Sequence, residues 1–400
     1  MKGNHIRMND RRDTMRPNMN GAPNGAPGGR RSPELVVPPA AAGEPLRIVH
    51  LLNELAQLGN GIVNVAMDLA LEHARAGHHV TVAAPDGAYA ELLRANGVWH
   101  YLLEPSGGVR PLTAMVKLRG FIKRNSTQIV HAHMMKGAVI GRLACVGTKA
   151  RLVTTVHNSW QRHAVLMRLG HRVIAVSDAV RDDMIQRGVP ANRIETVLNG
   201  TIGTLRVPAG VAPEPLTLNH PNVVTVAGMY VRKGIADLIE ATAMVRERVP
   251  TVTTYILGDG PDRAQFEQLA RDRGIGGSVV FLGFRADAEL VMKQADVFVL
   301  ASHADPNPLV IPEARAAGLP IVATRVDGIP ESLDGGDAGL LVPPHAPDAL
   351  ANAIAGLLLD PEQRSRLRAA ASRNLERLTV RRMAAETLDV YRRAAAGVAR

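Results

Sequence analysis

Short apolar runs alternate with longer stretches of helical spacing through most of this 400-residue chain, and that alternation leaves few folds open. Residues 46–52 read as a buried strand, 59–61 as a glycine-rich turn, and 63–76 as a helix that stops at Gly77. Residues 79–84 are the next strand. This is a βαβ unit, and its crossover implies a parallel sheet. The pattern continues with helices at 88–96 and 112–124, the second with Pro111 suited to its first turn. A strand at 129–133, a helix at 136–145 and strands at 152–157 and 173–177 follow. Ser177 is a good N-cap for a helix at 178–187, and 194–198 closes this half. Residues 201–222 hold Gly and Pro without periodicity and read as a linker. A second set then begins, with strands at 223–227, 253–257, 279–282, 297–300, 321–324 and 339–342. Its helices are expected at 235–247, 262–273, 288–294, 347–358 and 360–377. The reading is two doubly wound α/β domains. Ligands of such sheets sit at the C-terminal strand ends, here in the cleft between the domains.

Composition narrows the setting. Aromatic residues are only 3%, so the cores rest on Val, Leu, Ile and Ala. The single Cys145 allows no internal disulfide and fits a reducing, cytoplasmic compartment. No apolar run approaches the roughly 20 residues that span a bilayer, and the N-terminus lacks the apolar region of a secretory signal. Residues 1–45, rich in Gly, Pro, Asn and Arg, read as a disordered basic tail. The net charge of +10 is uneven: no acidic residue lies between Glu104 and Asp178, a window holding twelve Lys and Arg. Such a patch implies an anionic partner. Residues 112–124 and 160–168 mix apolar with basic side chains, as surface-lying helices do. The expectation is peripheral attachment to the anionic inner face of the cytoplasmic membrane through 105–177. Few aromatics are available to stack on bases, which argues against nucleic acid.

The most chemical segment is 305–324. Asp305 and Glu313 stand eight positions apart around a short apolar stretch, followed by a helix start, Gly318 and a buried strand. Two carboxylates and the N–H groups of a helix start suit a ligand carrying both hydroxyls and phosphate, as a nucleotide sugar does. The plainer alternative is an acidic loop capping an ordinary helix. Nothing in the sequence resembles a Ser-His-Asp triad, a pair of glycosidase carboxylates or a metal-ligand cluster. The expectation is therefore no metal and no cofactor.

Further segments stand in order: Gly59 to Gly61, Thr155 to His157, Asn199 with Gly200, and Arg232 to Gly234. Gly258 to Pro261, Phe281 to Phe284, Ala295 to Val297 and Gly328 to Glu331 follow. With Asp305 and Glu313 they make the chain resemble the retaining, group 1 glycosyltransferases of family 4, from about residue 46 onward. The resemblance implies a GT-B fold, with 46–200 binding acceptor, 201–222 linking, 223–379 binding nucleotide sugar, and a helix near 380–400 able to pack back on the first domain. It implies that Lys233 meets the diphosphate, Asp305 holds the transferred sugar, and His157 lies beside that sugar. Donor-binding roles fall to Gly59, Gly61, Arg232, Gly283, Phe284, Leu309, Val310 and Glu313, with Glu313 on the ribose hydroxyls.

The sequence departs from the family pattern at Asp305, one methylene shorter than the usual Glu, and at Pro308 and the residue after Gly200. It also departs at Met229, where an arginine for the diphosphate is usual; Arg232 is the nearby substitute and a Met229→Arg substitution the discriminating variant. The implied activity is hexosyl transfer from a nucleotide diphosphate sugar, as co-substrate, to a glycan or polyprenyl-linked acceptor in bacterial cell-surface or exopolysaccharide synthesis. The alternatives are a non-catalytic nucleotide-sugar-binding relative and a sugar-nucleotide epimerase on the same scaffold.

Overall fold

The computed structural model describes residues 44–55, 59–104, 110–206 and 216–397. The tail reading for 1–45 falls almost wholly outside them, as does part of the linker segment. The first half runs β1 (Arg47–Leu51), α1 (Gly61–Arg75), β2 (His79–Ala84), α2 (Ala90–Ala95), β3 (Trp99–Leu102) and α3 (Arg110–Arg124). It continues with β4 (Ile129–Ala132), α4 (Met135–Cys145), β5 (Arg151–Val156), β6 (Arg172–Ala175), α5 (Asp178–Gln186) and β7 (Ile194–Thr196). The second half is β8 (Asn222–Val226), α6 (Ile235–Arg248), β9 (Thr253–Leu257), α7 (Arg263–Asp272), β10 (Val279–Gly283), α8 (Ala288–Met292) and β11 (Val297–Leu300). Then come α9 (Val310–Ala316), β12 (Ile321–Thr324), α10 (Ile329–Ser332), β13 (Leu340–Val342), α11 (Pro347–Leu359), α12 (Pro361–Ala371) and α13 (Val380–Ala396).

The strands form two parallel sheets, ordered β3-β2-β1-β4-β5-β6-β7 and β10-β9-β8-β11-β12-β13. In each, the order reverses once, between β1 and β4 and between β8 and β11. The crevices at those two reversals are where doubly wound sheets bind ligands. Strands with helices on both faces must be apolar on both, and β4, β11 and β12 are buried at every residue.

On one face of the first sheet, Val49, Leu51, Val130 and Leu152 pack against α3 and α4. On the other, Ile48, Ile129, Val153 and Ile174 meet Val65 and Leu69 of α1, and Val380, Met383, Leu388 and Tyr391 of α13. α13 thus follows the second sheet in the chain but completes the core of the first. Arg382 donates to the Leu198 carbonyl at 2.9 Å, and Arg393 pairs with Glu195 at 2.5 Å.

Several elements differ from what the sequence predicts, α10 among them, for which it names no helix. β3 has no counterpart there: it is an edge strand with Trp99 exposed, so it carries no buried-strand signature. The helix expected over 360–377 breaks after Ala371, where Asn374 takes φ +52 before a 3-10 turn. Residues Arg162–Leu169 form 3-10 turns with Ala164 and Met167 buried, not a surface-lying amphipathic helix.

Candidate active site

Lys233 ends a 3-10 turn after β8, and Gly234 then opens α6 with φ +64. A Cβ on Gly234 would stand 1.8 Å from the Ala301 carbonyl oxygen, so only glycine lets this turn press against the end of β11. That contact sets Lys233 beside the loop following β11. Its Nζ lies 2.5 Å from Oδ2 of Asp305, with side-chain exposures of 16% and 7%. Ser302 Oγ donates to the same oxygen at 3.2 Å. The Asp305 N–H donates to Asp327 at 2.7 Å, tying the loop after β11 to the loop after β12. Asp327 takes φ +44, and burial raises its carboxyl above the usual range.

Glu313 stands in the first turn of α9, partly buried. Burial pushes its pKa up to about 7, opposed by the charge of Arg206. Among the described residues its carboxyl has no hydrogen-bond or ion-pair partner. Leu309 and Val310 open α9, whose first N–H groups carry no side-chain cap. Gly283 (φ +70) ends β10, its carbonyl accepting the Gly258 N–H at 2.7 Å, and Phe284 beside it is 49% exposed.

The first domain faces this loop cluster. Gly59 turns with φ +66, and the Asn60 side-chain oxygen caps α1 by accepting from the N–H of Ile62 at 3.0 Å and of Val63 at 3.5 Å. Gly61 lies against Leu309 across the domain boundary, its Cβ position 3.5 Å from Leu309 Cδ1. Asn307 donates to the Val176 carbonyl at 2.7 Å. The Glu331 carboxylate accepts the N–H groups of Asp178 and Ala179 at the start of α5. His157, half-buried at the end of β5, is pushed down to about 3 by burial and is therefore neutral.

Arg232 and Met229 have contacts that the sequence does not show. Arg232 points its guanidinium at the rings of Trp160, 5.1 Å away, and Tyr230, 5.5 Å away. It bridges the two domains by cation–π contact with Trp160, which is 41% exposed. Met229 is fully buried with Ile235, Ile239, Ile256 and Phe266. An arginine substituted into this packing would bury its charge in an apolar cluster, so Met229→Arg is a destabilising variant, not a discriminating one.

Several polar groups escape a reading of the sequence. Asp68, buried in α1, accepts from Arg206 at 2.8 Å and Thr204 at 2.5 Å. Ligand-type atoms of two triplets, His50 with His131 and His133, and Asp237 with His303 and His345, each lie within 4.8 Å of one another. His131 and His133 stand two apart at β4, but His50 joins them from β1, and Asp237, His303 and His345 come from separate parts of the chain, so neither triplet is announced as a whole by local spacing.

The two halves of the chain each match a family model. Residues 220–360 match glycosyl transferases group 1, and residues 59–201 match Glycosyltransferase Family 4. The chain belongs to family 4 of the glycosyltransferases. This glycosyltransferase is 37% identical to the lipopolysaccharide core biosynthesis glycosyltransferase LpsE of Rhizobium meliloti, over 43% of its own length and 49% of that protein. It thus aligns with about half of that relative. It is 29% identical to a phosphatidyl-myo-inositol mannosyltransferase of Mycolicibacterium smegmatis, over 83% of its own length and 89% of that protein. Its fold superposes on the crystal structure of Anabaena HepE in complex with UDP, with a TM-score of 0.71 and 25% identity. That match covers 86% of this chain and 100% of HepE. The two-sheet architecture of the glycosyltransferase is the GT-B fold.

Proposed function

We propose that this glycosyltransferase moves a hexosyl group from a nucleotide diphosphate sugar, with retention at the anomeric carbon, to a glycan or polyprenyl-linked acceptor in bacterial cell-surface or exopolysaccharide synthesis. The observation that carries the reading is the Lys233–Asp305 pair at the β8/β11 reversal, with Glu313, whose carboxyl has no partner among the described residues, in the first turn of the helix that follows. A departing nucleoside diphosphate gains negative charge, and a preset cation stabilises it most where water is excluded. Lys233 supplies that cation, with the uncapped start of α6 behind it. Asp305 accepts hydroxyls of the transferred sugar, and Glu313 accepts the ribose hydroxyls. The acceptor hydroxyl attacks from the face the diphosphate leaves, and its proton passes to the leaving phosphate. In this reading charge neutralisation needs no divalent cation, and transfer is expected to persist in EDTA.

LpsE and the mannosyltransferase, by their names, act on lipopolysaccharide core and on a phosphatidylinositol. Those names support an acceptor carried on a lipid. The basic window supports attachment to the inner face of the membrane: Leu112 and Val116 of α3 are exposed beside Arg110, Lys117, Lys123 and Arg124. Among the described residues no helix is long and apolar enough to cross a membrane. Each basic residue near an anionic surface contributes about 1 kcal/mol. Equal co-sedimentation with neutral and anionic vesicles at low salt would overturn the attachment.

The donor reading is tested by thermal shift against a panel of nucleoside diphosphates and their sugars, UDP and UDP-glucose first, since HepE has been crystallised with both. A ligand at about 100 times its Kd stabilises by about 2.7 kcal/mol. No shift with any member would sink the proposal and favour a relative that has lost donor binding.

A further inference from the structure

Behind His157 runs a line of imidazoles. Because strand residues alternate in facing, His50 on β1 and His131 on β4 point to the α13 side, and the two are neighbours in register. His133 and His157 continue the same parity just past the ends of β4 and β5. His157 Nε2 lies 3.3 Å from His133 Nδ1, and His133 Nε2 lies 3.0 Å from His50 Nδ1. The line ends there, because His50 Nε2 is buried without a partner among the described residues. His131 stands outside the line, held by Tyr391 at 2.5 Å and Thr155 at 2.7 Å.

We infer that His50 and His133 fix the tautomer of His157, so that His157 presents an N–H at Nδ1 toward the cleft. A neutral imidazole has one N–H and one bare nitrogen, so the line can be protonated in only two senses. In one, His133 donates to His50, and the remaining N–H of His50 sits at the buried Nε2 with no acceptor. In the other, His50 donates from Nδ1 to His133, and His133 donates from Nδ1 to His157 Nε2. Buried N–H groups without acceptors are rarer than buried bare acceptors, which selects the second sense. His157 Nε2 is then committed inward as acceptor, and its proton sits on Nδ1, for which no partner stands among the described residues. Burial supports the uncharged count, since it lowers the pKa of all three imidazoles.

The functional consequence rests on the reading of His157 as a neighbour of the donor sugar. His157 is a hydrogen-bond donor to a sugar oxygen and does not remove the acceptor's proton. His50 and His133 are positioning residues, since they reach the sugar only through His157.

The test is the two-bond proton–nitrogen NMR spectrum of 15N-histidine-labelled protein, with His157 assigned by His157→Gln. It needs no substrate, so its failure is separate from failure of the transferase reading. The expected wild-type spectrum has His157 Nδ1 at the protonated, pyrrole-type position and Nε2 at the bare, pyridine-type position. His50→Asn keeps a donor where Nδ1–H was, and the pattern stays. His50→Leu, of similar size, removes the donor, and His157 reverts to the Nε2–H form that free imidazole side chains prefer. A wild-type His157 protonated on Nε2 would overturn the inference even if His50→Leu failed to fold. So would an unchanged spectrum in His50→Leu, or one equivalent of zinc bound by wild type and lost in His50→Leu.

Discussion

Glu313 holds its carboxyl at about 7, against 4.5 for an unperturbed glutamate, because burial disfavours the charged form. The folded state therefore binds a proton that the unfolded chain has already released between those values. Its contribution to stability is present below about pH 4.5 and lost as pH rises through about 7. Glu313→Gln is expected to raise stability at about pH 8 by roughly 1–3 kcal/mol, and to do little at about pH 4. Urea unfolding at the two pH values checks this, and identical curves at the higher pH would remove the argument. The same variant should bind nucleoside diphosphate more weakly, since an amide cannot accept two hydroxyls as a carboxylate does. In wild type, affinity should rise from about pH 6 to 8, with proton release visible as buffer-dependent binding enthalpy. At Lys233, substitution by Ala leaves a mostly buried Asp305 carboxylate without its cation. The expected loss is about 3 kcal/mol. Adding Asp305→Asn should cost less than the sum of the singles, and a double-mutant cycle would expose simple additivity.

At the scale of elements, the start of α6 depends on Gly234. Gly234→Ala places a methyl against the Ala301 carbonyl in a left-handed conformation, so the turn holding Lys233 must move. A loss of about 2 kcal/mol or more is expected from the backbone conformation and the clash together. Equal melting temperatures for the variant and wild type would contradict the geometry. The same scale explains what the sequence discloses. The α/β alternation is legible because each strand and helix declares its period locally. Asp305 and Glu313 are legible because loop, helix start, Gly318 and strand follow one another closely. β3 is not, since an edge strand has little apolar content to show. The line from His50 to His157 is not, since its members meet only through the strand order β1-β4-β5. Met229 misleads because its neighbours, Ile256 and Phe266, belong to β9 and α7.

Across the whole molecule, specific contacts among the described residues hold the two sheets facing each other. Glu331 caps α5, Asn307 bonds the Val176 carbonyl, and Arg232 stacks on Trp160. Each joins the second domain to the first by a polar or cation–π contact, and Leu309 adds an apolar one against Gly61 and the first domain's core. Glu331→Ala combined with Trp160→Ala should enlarge the radius of gyration in small-angle scattering. An unchanged radius would mean that other contacts hold the cleft.

The return of α13 to the first sheet has a consequence for synthesis. The N-terminal sheet leaves the ribosome first, yet its α13-facing side is covered only in part, by Val65 and Leu69 of α1, until Tyr391 and Leu388 have been made. For the whole time needed to translate the second domain, the part of that apolar face that α13 covers stands open in a nascent chain. Domains made first ordinarily fold first. Here the first-made sheet is the last to close, and a stalled or shortened chain would present its uncovered face to chaperones and proteases.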